Sequence, residues 1–238
     1  MTVPRIRPAV PAQARPEWRT AVPPVERVEE SAPPTGLVEW AAMRTGAPGT
    51  GVPVLLPLEA HRRCPAEIWA AVAGVDSAVT AILDVPDREL RATIATLAAA
   101  GVRMLGRVDL ERGRRPVAAL VDDVAGWAGR PVHGLVLDHC PPEADELGAV
   151  ALAVRHAERL GLAEVLLAPG AEPHPRYRCL GARIVGFAGS WLDYQRTATR
   201  PGDAHLVHDV PVAQLDVARR LIGLRGAAWA LASPVPLP

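Results

Sequence analysis

Three short, largely apolar runs that each stop on an aspartate constrain this chain more than any other feature. Ser77–Leu83 runs into Asp84, Val102–Val108 into Asp109, and Val132–Leu137 into Asp138. A short run that is apolar without alternation is a strand covered on both faces, and such strands belong to parallel sheets with helices packed outside. A carboxylate just past the strand stands where α/β folds place their chemistry, at the carboxyl ends of the strands.

The surrounding sequence repeats this rhythm. Val52–Leu56, Glu164–Leu167, Arg183–Phe187, Ala204–His208 and Gly226–Leu231 read as further strands. Between them, apolar residues recur at helical spacing over Ala66–Val75, Arg88–Ala100, Val117–Ala128, Glu143–Leu160 and Val212–Leu224. The connection 171–181 carries prolines and is expected to hold at most one helical turn. Eight strands alternating with helices predict an α/β protein, a compact (β/α)8 TIM-like barrel, rather than an open doubly wound sheet. No Gly-x-Gly-x-x-Gly follows a strand and no Walker-type loop occurs, which lowers dinucleotide and nucleotide readings.

Residues 1–36 have a different character. Pro4, Pro8, Pro11, Pro16, Pro23, Pro24, Pro33 and Pro34 interrupt every helix or ladder, so a disordered tail is expected there, with the barrel domain over 37–238. A short helix around Gly36–Thr45 is expected to follow, with Trp40 packing on the domain. In polyproline form the tail offers a docking segment for a protein partner, although a solvated tail is the simpler reading.

The 26 basic residues, all arginine, balance 26 acidic ones. That balance argues against a general nucleic-acid or membrane-surface role. Cys64, Cys140 and Cys179 are too few and too scattered for a disulfide framework. The residues after Met1 lack the apolar core of a secretory signal, and no run is long enough to span a membrane, so a cytoplasmic protein is the expectation.

Asp138 and Asp109 are the leading candidates for acid–base work, with Asp84 and Glu111 also near strand ends and His139 beside Asp138. The bland alternative is that these carboxylates cap loops or pair with Arg107, Arg112, Arg114 and Arg115. Arg107 falls in the inward layer of its strand, where it would neutralise Asp138 or Asp109. Strand alternation would turn Asp138 and Cys140 to one side and His139 to the other. Without Cys-x-x-Cys or His-x-x-x-His spacing, neither a metal nor another cofactor is expected. Cys140 is a weak nucleophile candidate, since Pro141 follows it and no base is identifiable. His205 and His208 would lie on opposite faces of one strand. Glu143, Asp145 and Glu146 are expected to open a helix, where acids suit the dipole. Trp69, Trp127 and Trp229 read as packing residues.

Across about residues 51–233 the chain resembles spherulation-specific family 4, the spherulin-4-like proteins. The resemblance rests on Gly51-Val-Pro-Val-Leu-Leu-Pro57, Ala99-Ala-Gly-Val-Arg-Met-Leu-Gly-Arg-Val-Asp109, Gly113-Arg-Arg-Pro116, Gly134-Leu-Val-Leu-Asp138, Pro169-Gly170, Phe187-Ala-Gly-Ser190 and His208-Asp-Val-Pro211, in that order. It implies a TIM-barrel glycoside hydrolase-like protein, in a group whose enzymatic members cleave α-1,4-linked galactosaminogalactan. Those members carry Asp-Glu after the fourth strand and a Phe-Glu-Gly-Ser-type stretch at the sixth. Here His139 follows Asp138 and Ala188 precedes Gly189-Ser190, so two of three acids are missing. Glycoside hydrolysis usually needs a proton donor and a second carboxylate, and alanine is neither. The resemblance thus implies a non-catalytic or rewired barrel that binds a carbohydrate or other small ligand. The alternative is an active hydrolase using Asp138 with Asp109 or His139. Arg107, Ser190, Trp191, His208, Asp84 and Glu111 are the expected substrate contacts, with Trp191 and Tyr194 offering faces for sugar stacking.

Overall fold

Apolar runs bounded by turns become strands here because each finds a partner on both sides. The computed structural model describes residues 54–57, 79–83, 91–99 and 101–234. The tail 1–36, the expected helices at 36–45 and 66–75, Trp40, Trp69, Cys64 and Asp84 lie outside the described residues. The strands are β1 (Val54–Pro57), β2 (Val79–Leu83), β3 (Arg103–Asp109), β4 (Gly134–Asp138), β5 (Glu164–Ala168), β6 (Arg183–Ser190), β7 (Ala204–His208) and β8 (Trp229–Ala232). All pair in parallel and in chain order, and β8 meets β1 at one register position, Ala230 opposite Val54. The fold is a mixed α/β one, built on a curled, all-parallel sheet.

Alternation along the strands divides the core into two layers. Ile82, Leu105, Val136, Leu166, Val185, Ala204 and Trp229 share the concave side as one cluster. The alternate residues Met104, Val108, Leu135, Leu137, Val165 and Leu167 face outward. They pack with Ile94 and Leu97 of α1 (Arg91–Ala99), Leu120 and Val124 of α2 (Val117–Gly126), and Val150 and Val154 of α3 (Leu147–Arg159). Full burial of such a side chain contributes roughly 1.5–3 kcal/mol, which explains why the apolar runs do not alternate with polar residues. Trp127 and Trp229 are core residues, as their helical and strand settings predict. Trp127 lies across β3 so closely that a Cβ on Gly106 would stand 2.3 Å from its ring. Its indole N–H donates to the Arg107 carbonyl at 3.2 Å.

Several elements differ from expectation. The helix expected from Glu143 begins at Leu147, because the preceding segment is fastened elsewhere. The Tyr177 hydroxyl donates to the Pro141 carbonyl at 2.5 Å, and the His174 N–H donates to the Pro142 carbonyl at 2.8 Å. Glu143, Asp145 and Glu146 therefore precede the helix, and no side chain caps it. The connection before β6 holds a longer 3-10 segment than expected, Pro175–Leu180. The His174 ring accepts the Arg176 N–H at 3.3 Å, and Pro175 follows it at a position suited to helix starts. The helix expected over Val212–Leu224 is a 3-10 turn, Val212–Gln214, followed by α5 (Leu215–Leu224).

β6 extends past Phe187 to Ser190 and is followed by a helix absent from the sequence reading, α4 (Trp191–Arg196). Its pairing with β7 shifts register between Val185 and Phe187. Gly186 sits in that irregularity, where a Cβ would lie 2.3 Å from Asp203 Oδ2. Asp203 is buried and held by Arg178 through two contacts, at 2.7 and 2.9 Å. The shift exchanges the two faces of β6, so Ala188 and Ser190 share the concave side with Leu206 and His208. Among the described residues no helix is long and apolar enough to cross a membrane.

Candidate functional site

β3 and β4 end in register, with Asp109 opposite Asp138. Both aspartates continue the concave series of Leu105, Arg107 and Val136. Arg107 reaches across to Asp138, with Nε at 2.8 Å and Nη2 at 2.5 Å from Oδ2. The two side chains are about one-fifth exposed, at 22 % and 21 %. The other carboxylate oxygen, Oδ1, accepts the backbone N–H of His139 at 2.8 Å. Asp138 is thus held on both oxygens.

The expectation that His139 faces away from Asp138 is overturned. The strand stops at Asp138, and His139 takes φ 47°, a left-handed conformation that breaks the alternation. Its ring turns back, with Nδ1 3.0 Å from Asp109 Oδ1 and 4.0 Å from Asp138 Oδ2. Those two carboxylate oxygens are therefore no farther apart than the sum of these distances. Backbone bonds stitch the two loops together: the Leu110 N–H donates to the Asp138 carbonyl and the Arg112 N–H to the His139 carbonyl, each at 2.9 Å. Glu111 and Arg112 also carry positive φ, at 47° and 55°. Arg115 donates to the Asp109 carbonyl at 2.8 Å and pairs with Asp123 at 2.6 Å.

Burial raises the Asp109 pKa, but the Glu111 N–H at 2.7 Å and the His139 ring outweigh it, and the net shift is downward. Asp109 is thus a carboxylate at neutral pH and unsuited to donating a proton. As an acceptor it draws the His139 proton to Nδ1, which leaves Nε2 as the acceptor nitrogen of the ring. An oriented imidazole backed by a carboxylate can exchange protons or hydrogen-bond a hydroxyl.

Cys140 does not share the side of Asp138. It is buried in the outer layer, its thiol donates to the Leu137 carbonyl at 3.0 Å, and burial pushes its pKa up to about 12. A thiol in that state is a poor nucleophile.

The remaining expected contacts divide. Glu111 contributes its backbone, while its exposed side chain lies 4.0 Å from Arg115. Ser190 caps α4, with Oγ accepting the Asp193 N–H at 3.2 Å and donating to its carboxylate at 2.6 Å. Trp191 does not present a stacking face: it is 6 % exposed and donates its indole N–H to Gln214 at 2.7 Å. Tyr194 is fully buried, edge-on to Phe187 and bonded to His205 at 2.9 Å. Both aromatics are packing residues because a helix, not a loop, follows Ser190. His205 and His208 lie on opposite faces of β7, His205 buried and His208 on the concave side. His208 meets Asp209 at 2.8 Å, an acid the sequence reading overlooked although it follows a strand end like Asp138 and Asp109. Among the described residues no three His, Cys, Asp or Glu side chains converge on a metal-sized site.

No protein-family model matches the chain, and no curated protein matches it. Among solved structures it is similar to Sph3 of Aspergillus clavatus, a crystal structure in complex with GalNAc. The two are 20 % identical, the match covers 77 % of this chain and 88 % of that one, and the TM-score is 0.64. What this likeness shows is a shared fold.

Proposed function

We propose that the chain is a spherulin-4-like (β/α)8 barrel that binds a carbohydrate at the mouth formed by Arg107, Asp109, Asp138 and His139, without the hydrolysis of the family's enzymatic members. Two observations support the barrel: the chain-order parallel pairing and the return of β8 to β1. The likeness to Sph3, solved with GalNAc, supports an amino-sugar ligand. The observation that carries the loss of hydrolysis is the state of Asp138, whose carboxylate is occupied by Arg107 and by the His139 N–H. Ala188, on the concave side opposite Leu206, supplies no replacement acid. Cleavage of a glycosidic bond asks for a protonated group at the leaving oxygen and a carboxylate free to attack or to activate water. Asp109, whose pKa is lowered, does not meet the first need, and Asp138, with both oxygens engaged, does not meet the second.

The charged pairs suit recognition instead, since sugar hydroxyls take hydrogen bonds from a guanidinium and give them to carboxylates. Calorimetric titration with α-1,4-linked galactosamine oligomers tests the proposal; binding that weakens by about tenfold or more in Asp138→Ala supports it, and no binding contradicts it. A second reading is an active hydrolase in which His139, oriented by Asp109, is the proton donor. The 3.0 Å contact between those two residues favours it. New reducing ends above the His139→Ala background would establish it.

A further inference from the structure

A second group of charged residues lies at the opposite end of the sheet. At the N-terminal ends of β3, β4, β5 and β6 lies a cavity of about 520 Å³. Arg103, Glu164 and Arg183 are the first residues of their strands and belong by alternation to the concave series. His133, Val132 and Ala163 complete the lining that matters. Arg103 is paired with Glu164. Arg183 differs: its guanidinium carbon lies over the Trp229 ring, 4.8 Å from the centroid, and among the described residues no acid pairs with it. A guanidinium held over an aromatic ring keeps N–H groups to give to a further acceptor. His133 adds a donor, because its Nδ1 accepts the Met104 N–H at 3.2 Å, which puts the ring proton on Nε2.

We propose that this cavity binds a small monocarboxylate, held by the Arg183 edge with its apolar part against Val132 and Ala163. Charge decides the class. Once Arg103 and Glu164 neutralise each other, Arg183 leaves one positive charge, which a single carboxylate matches. A dianion such as phosphate would exceed that single positive charge. A planar carboxylate also fits the guanidinium fork in the bidentate manner. The site stands apart from the mouth at Asp109 and Asp138 and does not depend on the function proposed there.

The test is calorimetric titration of the full chain with butyrate, glycolate and benzoate, with inorganic phosphate as a parallel arm. Two variants accompany it: Arg183→Gln removes the fork, and Ala163→Phe fills the cavity while leaving Arg183 in place. Ala163 is exposed, so a larger side chain there does not depend on core repacking. At least one monocarboxylate is expected to bind, and each variant is expected to weaken it by about tenfold or more, Arg183→Gln through the loss of a charged hydrogen-bonding group and Ala163→Phe by occupying the space. No binding by any monocarboxylate, tighter binding of phosphate, or binding that survives in a folded variant would overturn the proposal. Should Arg183→Gln fail to fold, Ala163→Phe decides.

Discussion

Arg107 and Asp138 form an ion pair between β3 and β4 in which both guanidinium contacts fall on one carboxylate oxygen, Oδ2. The other oxygen is taken by the His139 backbone. Because Arg107 stands opposite Val136 in register, it reaches Asp138 from one pair below, inside the concave face. That sets a positive charge against Asp138, the one acid the resemblance carries over. On the proposed reading, this mouth holds a polar ligand rather than protonating one.

Removing Asp138 takes this ion pair from a partly buried guanidinium. Asp138→Ala is expected to cost about 2 kcal/mol, between the small worth of exposed pairs and the larger penalty for breaking buried ones. Replacing both, as Arg107→Met with Asp138→Leu, should recover most of that loss. Urea unfolding of the single and double variants measures it.

Asp109 sets a pH dependence. Its folded pKa lies below its ordinary value, so its contribution favours the folded state when it is ionised. That contribution is fully present above the unfolded aspartate value of about 3.9 and is lost as pH falls through the lower folded value. Asp109→Asn should therefore flatten the stability–pH curve on the acid side and leave it parallel to wild type near neutrality. Thermal unfolding between acid and neutral pH follows this.

Cysteine reactivity should separate two positions. Cys179 is exposed, whereas Cys140 is buried with its pKa pushed up to about 12. In the native protein a thiol reagent should label Cys179 rapidly and Cys140 only after unfolding. Peptide mapping of the labelled protein reads both sites.

The approach of Trp127 to β3 makes Gly106 intolerant of a side chain. Gly106→Ala would place its Cβ 2.3 Å from the indole, and overpacking of this kind costs about 1–3 kcal/mol. The loss should appear in urea unfolding together with a changed near-ultraviolet signal from the displaced tryptophan.

The strands were legible because two-sided burial leaves an unbroken apolar run, as in Gly134–Leu137. The inward position of Arg107 was legible from alternation alone. What escaped depends on backbone turns that residue types do not announce. His139 adopts a left-handed conformation without being glycine, and the register shift at Gly186 exchanges the faces of β6. α4 did leave a signal: Ser190 and Asp193 have the spacing of a capping pair, and reading it would have removed Trp191 from the sugar contacts. The delayed start of α3 was not readable, because the Tyr177 hydroxyl that holds Pro141 comes from a distant segment.

Calorimetric titration of wild type and Asp138→Ala with an α-1,4-linked galactosamine oligomer, followed by assay of the recovered sugar for new reducing ends, tests the central claim most directly. The predicted result is binding by wild type, binding weakened about tenfold or more in the variant, and intact sugar throughout. No binding by wild type, binding indifferent to Asp138, or reducing ends above the variant's background would contradict it.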